Sequence, residues 1–125
     1  MVDKLRSTRE TLCGLLRRQG ITNIRQVEDG ASALEELKDT QTDLVIADWS
    51  LAGITGVELL RTIRGDEKLK AIRFLLVTGT ANRNEVLEAA RAGVSGYLLK
   101  PFKANILADQ LKKVFPNQHP VRRAA

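Results

Sequence analysis

Apolar positions along the chain follow two alternating rhythms. From Leu5 to Gln19 the spacing is helical, with Leu5, Leu12, Leu15 and Leu16 near one face and Gly20 as a C-terminal stop. Ile21 to Glu28 reads as a short strand, alternating at Ile24 and Val27. Asp29-Gly30 is a turn placed to cap a second helix, Ala31 to Lys38, which would bury Ala33, Leu34 and Leu37. Leu44-Val45-Ile46-Ala47 is a continuous apolar run ending in Asp48, as expected of a strand covered on both faces. Gly53 and Gly56 then break the chain before a helix over about Val57 to Arg64. Ile72 to Val77 predicts the next strand, Asn84 to Ala92 a helix stopped by Gly93, and Val94 to Leu99 a last strand before Lys100-Pro101. A final helix, Ala104 to Phe115, would bury Ile106, Leu107, Leu111 and Val114, and the segment after it, residues 116–125, has no periodicity and is expected to be mobile.

Strands alternating with helices at this spacing predict parallel βαβ units with right-handed crossovers, an α/β fold. At 125 residues there is room for one domain, residues 1–115, and the 4% aromatic content leaves aliphatic side chains to fill its core. Net charge is +5, but the basic residues are spread along the chain, so nucleic-acid binding is not expected and Arg122-Arg123 reads as a tail feature, as does the lone His119. The single Cys13 has no partner for a disulfide or metal cluster. With no apolar run near the roughly 18 residues of a membrane span, and no signal-like start, a cytoplasmic protein without membrane insertion is expected.

In parallel sheets of this kind ligands sit outside the carboxyl ends of the strands. The residues ending the candidate strands are Asp3, Asp29, Asp48, Thr78 and Lys100. Carboxylates, a hydroxyl and an ammonium on one rim would make a metal-and-phosphate site. Each also has a plainer role open to it: a cap for an aspartate, an ordinary strand position for Thr78, a solvated side chain for Lys100.

Those residues, with Glu28-Asp29-Gly30, Asp48-Trp49-Ser50, Gly56-Val57-Glu58-Leu59-Leu60, Val77-Thr78-Gly79, Ala92-Gly93-Val94-Ser95-Gly96-Tyr97 and Lys100-Pro101-Phe102, resemble the receiver domain of bacterial two-component response regulators, particularly the stand-alone chemotaxis type. The resemblance spans roughly Met1 to Phe115. It implies a doubly wound, flavodoxin-like five-stranded parallel sheet of order 2-1-3-4-5, an order taken over from the family. It implies that Asp48 accepts a phosphoryl group from a sensor histidine kinase or phosphotransfer protein, with Mg²⁺ held by Asp3, Asp48 and the Ser50 backbone carbonyl. It further implies that Lys100 and Thr78 contact phosphoryl oxygens, that Gly79 keeps the route to Asp48 open, and that Tyr97 is a switch side chain. An output protein would dock on the fourth helix, fifth strand and fifth helix, where Arg91, Lys103, Lys112 and Lys113 suit an acidic partner.

Two departures from the family stand out. Its two adjacent acids after strand one are here Asp3-Lys4, which predicts weakened Mg²⁺ binding, and its Met-Pro after the acceptor is Leu51-Ala52. Only Met1 and Val2 precede Asp3, where a strand normally needs about five or six residues. Either the first strand is unusually short and the sheet compensates, or the chain begins inside a longer segment. Two other functions carry different expectations: a phosphate-independent binding module of the same fold, and a small aspartyl-phosphate phosphohydrolase. The second wants an Asp two residues after the nucleophile, where this chain has Ser50.

Overall fold

The structure, a computed structural model, describes residues 1–79, 82–115 and 123–124. Its elements run α1 (Arg6–Arg18), β1 (Asn23–Ile24), α2 (Gly30–Asp39), β2 (Leu44–Asp48), α3 (Gly56–Arg64), β3 (Arg73–Thr78), α4 (Arg83–Arg91), β4 (Gly96–Leu99), α5 (Ala104–Val114) and β5 (Arg123–Ala124). Strands β2, β3 and β4 pair in parallel in that order, with Asp48 opposite Val77 and Thr78 opposite Leu99.

The first strand of the expected sheet is reduced to a bridge. Val2 pairs in parallel with Val27 on one side and with Ala47 on the other. Its amide donates to the Ile46 carbonyl at 2.8 Å and its carbonyl accepts from the Asp48 amide at 3.0 Å. The lateral order is therefore the β1 segment, Met1–Asp3, β2, β3, β4, which is the 2-1-3-4-5 arrangement. The strand expected over Ile21 to Glu28 is present only as Asn23–Ile24 and the bridge at Val27. The Met1 α-amine, inside the sheet, donates to the Arg25 carbonyl at 3.0 Å, and burial pushes its pKa down to about 5.

Alternation along the strands divides the core between two faces. Leu44 and Ile46 of β2 and Leu75 and Val77 of β3 pack under α1 and α5 with Leu12, Leu16, Leu107 and Leu111. Val45, Ala47, Phe74 and Leu76 point the other way, against Ala33, Leu37, Leu59, Leu60 and Ile63 of α2 and α3. Helices thus cover both faces, as a doubly wound sheet requires. Local chemistry starts the helices as the sequence predicts: Asp29 accepts from the Ser32 amide at 2.7 Å, Thr55 and Glu58 form a reciprocal capping box, and the Asn82 side chain caps α4. Two expected core residues lie outside it. Leu5 precedes α1 as its N-cap and Ile106 faces outward on α5, each more than two-fifths exposed, because the buried stripes run through Leu12–Leu16 and Leu107–Leu111 instead.

Within the tail expected to be mobile, Arg123–Ala124 forms β5, paired in parallel with β1; the remainder of that tail, His119 included, lies outside the described residues. Among the described residues, no helix is long and apolar enough to cross a membrane.

Candidate functional site

The carboxyl ends of the central segments converge on one rim. β2 delivers Asp48, the Val2 bridge delivers Asp3, β3 ends at Thr78, and Lys100 follows β4, its amide donating to the Thr78 carbonyl at 2.9 Å. Asp3, Asp48 and Thr78 are buried, the only such polar residues in a core of aliphatic side chains among those described. The Lys100-Pro101 peptide is cis.

Lys100 joins the two acids. Its Nζ lies 3.2 Å from Asp48 Oδ1 and 3.5 Å from Asp3 Oδ2. Asp3 Oδ1 accepts from the Leu5 amide at 2.8 Å, and the Asp3 carbonyl accepts from Arg9 Nη1 at 2.6 Å. Asp3 Oδ2 is buried and takes no hydrogen bond; its partner is the Lys100 ammonium. Burial is the largest influence on Asp48 and pushes its carboxyl above the ordinary range; the Lys100 ammonium draws it down, and the Asp3 carboxylate pushes it up again. The two buried acids share the single ammonium of Lys100, so hard carboxylate oxygens converge at one place on the rim, a donor set that suits a cation.

Gly56 brings α3 against this rim. A Cβ there would run into the Asp48 carbonyl and the Leu76 side chain, while the Gly56 amide donates to the Trp49 carbonyl at 2.8 Å. Trp49 itself is half-buried against the α2 and α3 face.

The remaining candidates take up other places. Asp29 is spent on its cap, and the Ser32 amide holds its carboxyl below the usual range. Ser50 is exposed just past β2. Lys4 is exposed and forms no ion pair with Asp3 or Asp48, so the ammonium in the site comes from Lys100, not from the residue after Asp3. The physical reason is alternation: with Asp3 turned into the rim, its neighbour is turned out. Tyr97, one turn of the pleat before Leu99, packs against the α2–α3 face, and its hydroxyl is buried without a hydrogen-bond partner. Burial first, then the Glu85 carboxylate, raise its phenol above the ordinary value.

Sequence reasoning missed two arginines. Arg9, two turns beyond Asp3, braces its carbonyl. Arg64 ends α3 and donates to the carbonyls of Gly93 at 2.9 Å, Lys70 at 3.0 Å and Ile72 at 2.6 Å, and to Ser95 Oγ at 3.3 Å. A basic residue in a helix's last turn reads as a solvated, dipole-favoured side chain, and no local pattern distinguishes it from one that clamps distant loops.

The response regulator receiver domain family model matches residues 1–112. The chain belongs to the response regulator receiver family. It is 42% identical over 115 residues to the chemotaxis protein CheY of Pseudomonas aeruginosa, covering 92% of this chain and 93% of that one. Chemotaxis protein CheY-3 of Vibrio cholerae is likewise 42% identical, covering 92% and 88%. Among solved structures, a response regulator from Chloroflexus aurantiacus superposes with a TM-score of 0.87 at 28% identity, covering 93% and 94%. The Vibrio cholerae chemotaxis response regulator CheY4 gives 0.82 at 26% identity, covering 90% and 93%. The expected flavodoxin-like α/β fold is therefore the fold observed, and this receiver is a CheY-like signalling domain of two-component systems.

Proposed function

We propose that Asp48 is the phospho-acceptor of this receiver. The observation that carries the reading is the Lys100 ammonium set between two buried carboxylates, 3.2 Å from Asp48 and 3.5 Å from Asp3, at the end of the central strands. One Asp48 oxygen attacks the phosphorus of a phosphohistidine on a sensor histidine kinase or phosphotransfer protein. The new O–P bond forms as the P–N bond breaks, and the electron pair returns to the imidazole. Positioning and charge neutralisation carry most of such a transfer. Lys100 moves its attraction from the carboxylate to a phosphoryl oxygen, as a point charge, and the Thr78 hydroxyl takes another. A methyl on Gly79 would meet nothing within 4 Å, so the glycine leaves the approach to Asp48 unobstructed without being demanded by packing.

Receivers as a family use Mg²⁺ for phosphorylation. The residues present fit that ion: Asp48, Asp3 Oδ2, which takes no hydrogen bond, and the Ser50 carbonyl are hard oxygen donors that would hold it, with water completing the set. When bound, Mg²⁺ neutralises charge on the carboxylate and the incoming phosphoryl group. No third carboxylate is needed; among the described residues no cluster of three or more His, Cys, Asp or Glu occurs.

CheY-like receivers interact with histidine kinases and output proteins. We assign the output face here to α4, β4 and α5, working in the cytoplasm. Val86, Leu87, Leu99 and Ile106 are exposed there, and a cleft of about 350 Å³ is lined by Tyr97, Leu99, Pro101, Phe102 and Ile106. Exposed Arg91, Lys103, Lys112 and Lys113 around it suit an acidic partner.

Incubation with acetyl phosphate and Mg²⁺, followed by intact-mass spectrometry, tests the acceptor. One alkali-labile phosphoryl group is expected on the wild type and none on Asp48→Asn. Equal labelling of the variant would remove Asp48 from the role.

A further inference from the structure

Arg9 is a cation in the opening turns of α1, where the helix dipole disfavours positive charge and no side chain caps the start. It is half-buried and forms no ion pair among the described residues, whereas Arg6, one turn earlier, is exposed and pairs with Glu10. Its guanidinium turns back to the main chain instead: Nη1 donates to the Asp3 carbonyl at 2.6 Å.

That carbonyl needs an outside donor. The Val2 carbonyl before it accepts from the Asp48 amide, but there the ladder ends, and no backbone amide among the described residues reaches the carbonyl of buried Asp3. Buried backbone acceptors are paired as a rule, and Arg9 supplies the pairing. Two further hydrogen bonds close a ring on the same residue. The Arg9 amide donates to the Leu5 carbonyl at 3.1 Å, and the Leu5 amide donates to Asp3 Oδ1 at 2.8 Å. Arg9 therefore holds the Asp3 main chain with its side chain, and with its own main chain holds the residue that grips one carboxylate oxygen. With Oδ1 taken, the carboxylate torsion is set and Oδ2 is left facing Lys100 at 3.5 Å, on the rim with Asp48.

We propose that Arg9 is a positioning residue of the cation site: by pinning the Asp3 main chain it aims Oδ2 at the place shared with Asp48, without bringing its own charge to the carboxylate. This rests on Asp3 and Asp48 holding Mg²⁺, as proposed above. The location of the charge matters. An arginine paired with the Asp3 carboxylate would compete with an ion, whereas one held on the carbonyl of the same residue orients the ligand from behind. Groups that orient a metal's ligands in this way typically change affinity by about 10–100-fold.

The sign of one substitution separates positioning from simple electrostatics. Arg9→Met keeps an apolar stem and loses the cation, so it should tighten Mg²⁺ binding if Arg9 acts only through its field. If Arg9 positions Asp3, the same variant weakens Mg²⁺ binding by about tenfold or more in a Trp49 fluorescence titration. Arg6→Met, which removes an exposed cation from the same helix, should leave the affinity within about twofold. Arg9→Lys keeps the charge but not the planar fork; it should lose part of the affinity, and carries the comparison if Arg9→Met does not fold. Amide exchange followed by NMR without Mg²⁺ should show the Leu5 amide several-fold faster in the Arg9 variants while the Val27 amide, bonded to the Met1 carbonyl, keeps its wild-type rate. Unchanged or tighter Mg²⁺ binding in the Arg9 variants would overturn the proposal. So would Leu5 and Val27 amides accelerating together, because Arg9 would then be a general stabiliser. A wild type that gives no Mg²⁺ response fails the metal reading itself, whereas equal binding by wild type and Arg9→Met fails the role of Arg9 alone.

Discussion

Asp3 and Lys100, from opposite ends of the folded chain, meet at 3.5 Å on the rim of the sheet. The contact makes Lys100 a partner of both acids, and the pair Asp3–Asp48 depends on it for its charge balance. Removing one member of a buried, hydrogen-bonded charge cluster leaves the others uncompensated.

Lys100→Met should therefore slow acetyl phosphate labelling of Asp48 by tenfold or more, a barrier change of about 1.4 kcal/mol or above. Mass spectrometry over a time course reads this directly. Lys100→Arg keeps the charge but presents a planar fork in place of a compact ammonium, and is expected to recover only part of the rate. Wild-type rates for Lys100→Met would mean that the ammonium is structural only.

Lys4 should have little hold on the ion. Its side chain is exposed and outside the acid pair, and exposed charges are worth roughly 0–1 kcal/mol. Lys4→Met is expected to change Mg²⁺ affinity by less than about fivefold, which corresponds to that limit. Trp49, adjoining Asp48 and half-buried, is the fluorescent reporter. Tightening by tenfold or more would place the Lys4 ammonium at the ion after all.

Thr78 and Tyr97 stand on adjacent strands, and the buried Tyr97 hydroxyl has no hydrogen bond in this state. An unsatisfied group of that kind is poised to move when its surroundings change. Phosphorylation should shift the Tyr97 resonances and those of α4 and α5 in the wild type, and shift them far less in Thr78→Ala. Equal shifts in both would take Thr78 out of the switch.

Arg64→Ala should be among the more destabilising changes at a partly exposed position. The guanidinium serves four acceptors that tie the end of α3 to the start of β3 and the α4–β4 connection. Loss of charge-assisted hydrogen bonds of this kind costs on the order of 2–3 kcal/mol. Urea denaturation checks it, with Arg64→Lys expected to rescue little because an ammonium cannot span the same acceptors. A change below about 0.5 kcal/mol would show the clamp to be dispensable.

The alternation of strands and helices, most of the faces they bury, and Asp3, Asp48, Thr78 and Lys100 at the rim were legible before the fold was known, whereas Leu5 and Ile106 were expected inside and lie exposed. Hydrophobic period, capping residues and glycine stops are local, and they act the same way in any context; Asp48, Thr78 and Lys100 were found because an apolar run ends at each. The roles of the lysines were not legible. Lys4 adjoins Asp3 in the chain but faces solvent, whereas Lys100 reaches both acids across the sheet. Strand alternation separates neighbours and the parallel crossover brings distant residues together, so charge pairing belonged to the tertiary structure. The partners of Met1–Asp3 were likewise not legible: only the register of Val2 against Val27 and Ala47 set this segment between β1 and β2, because backbone hydrogen bonds between remote segments leave no mark on the side chains that form them.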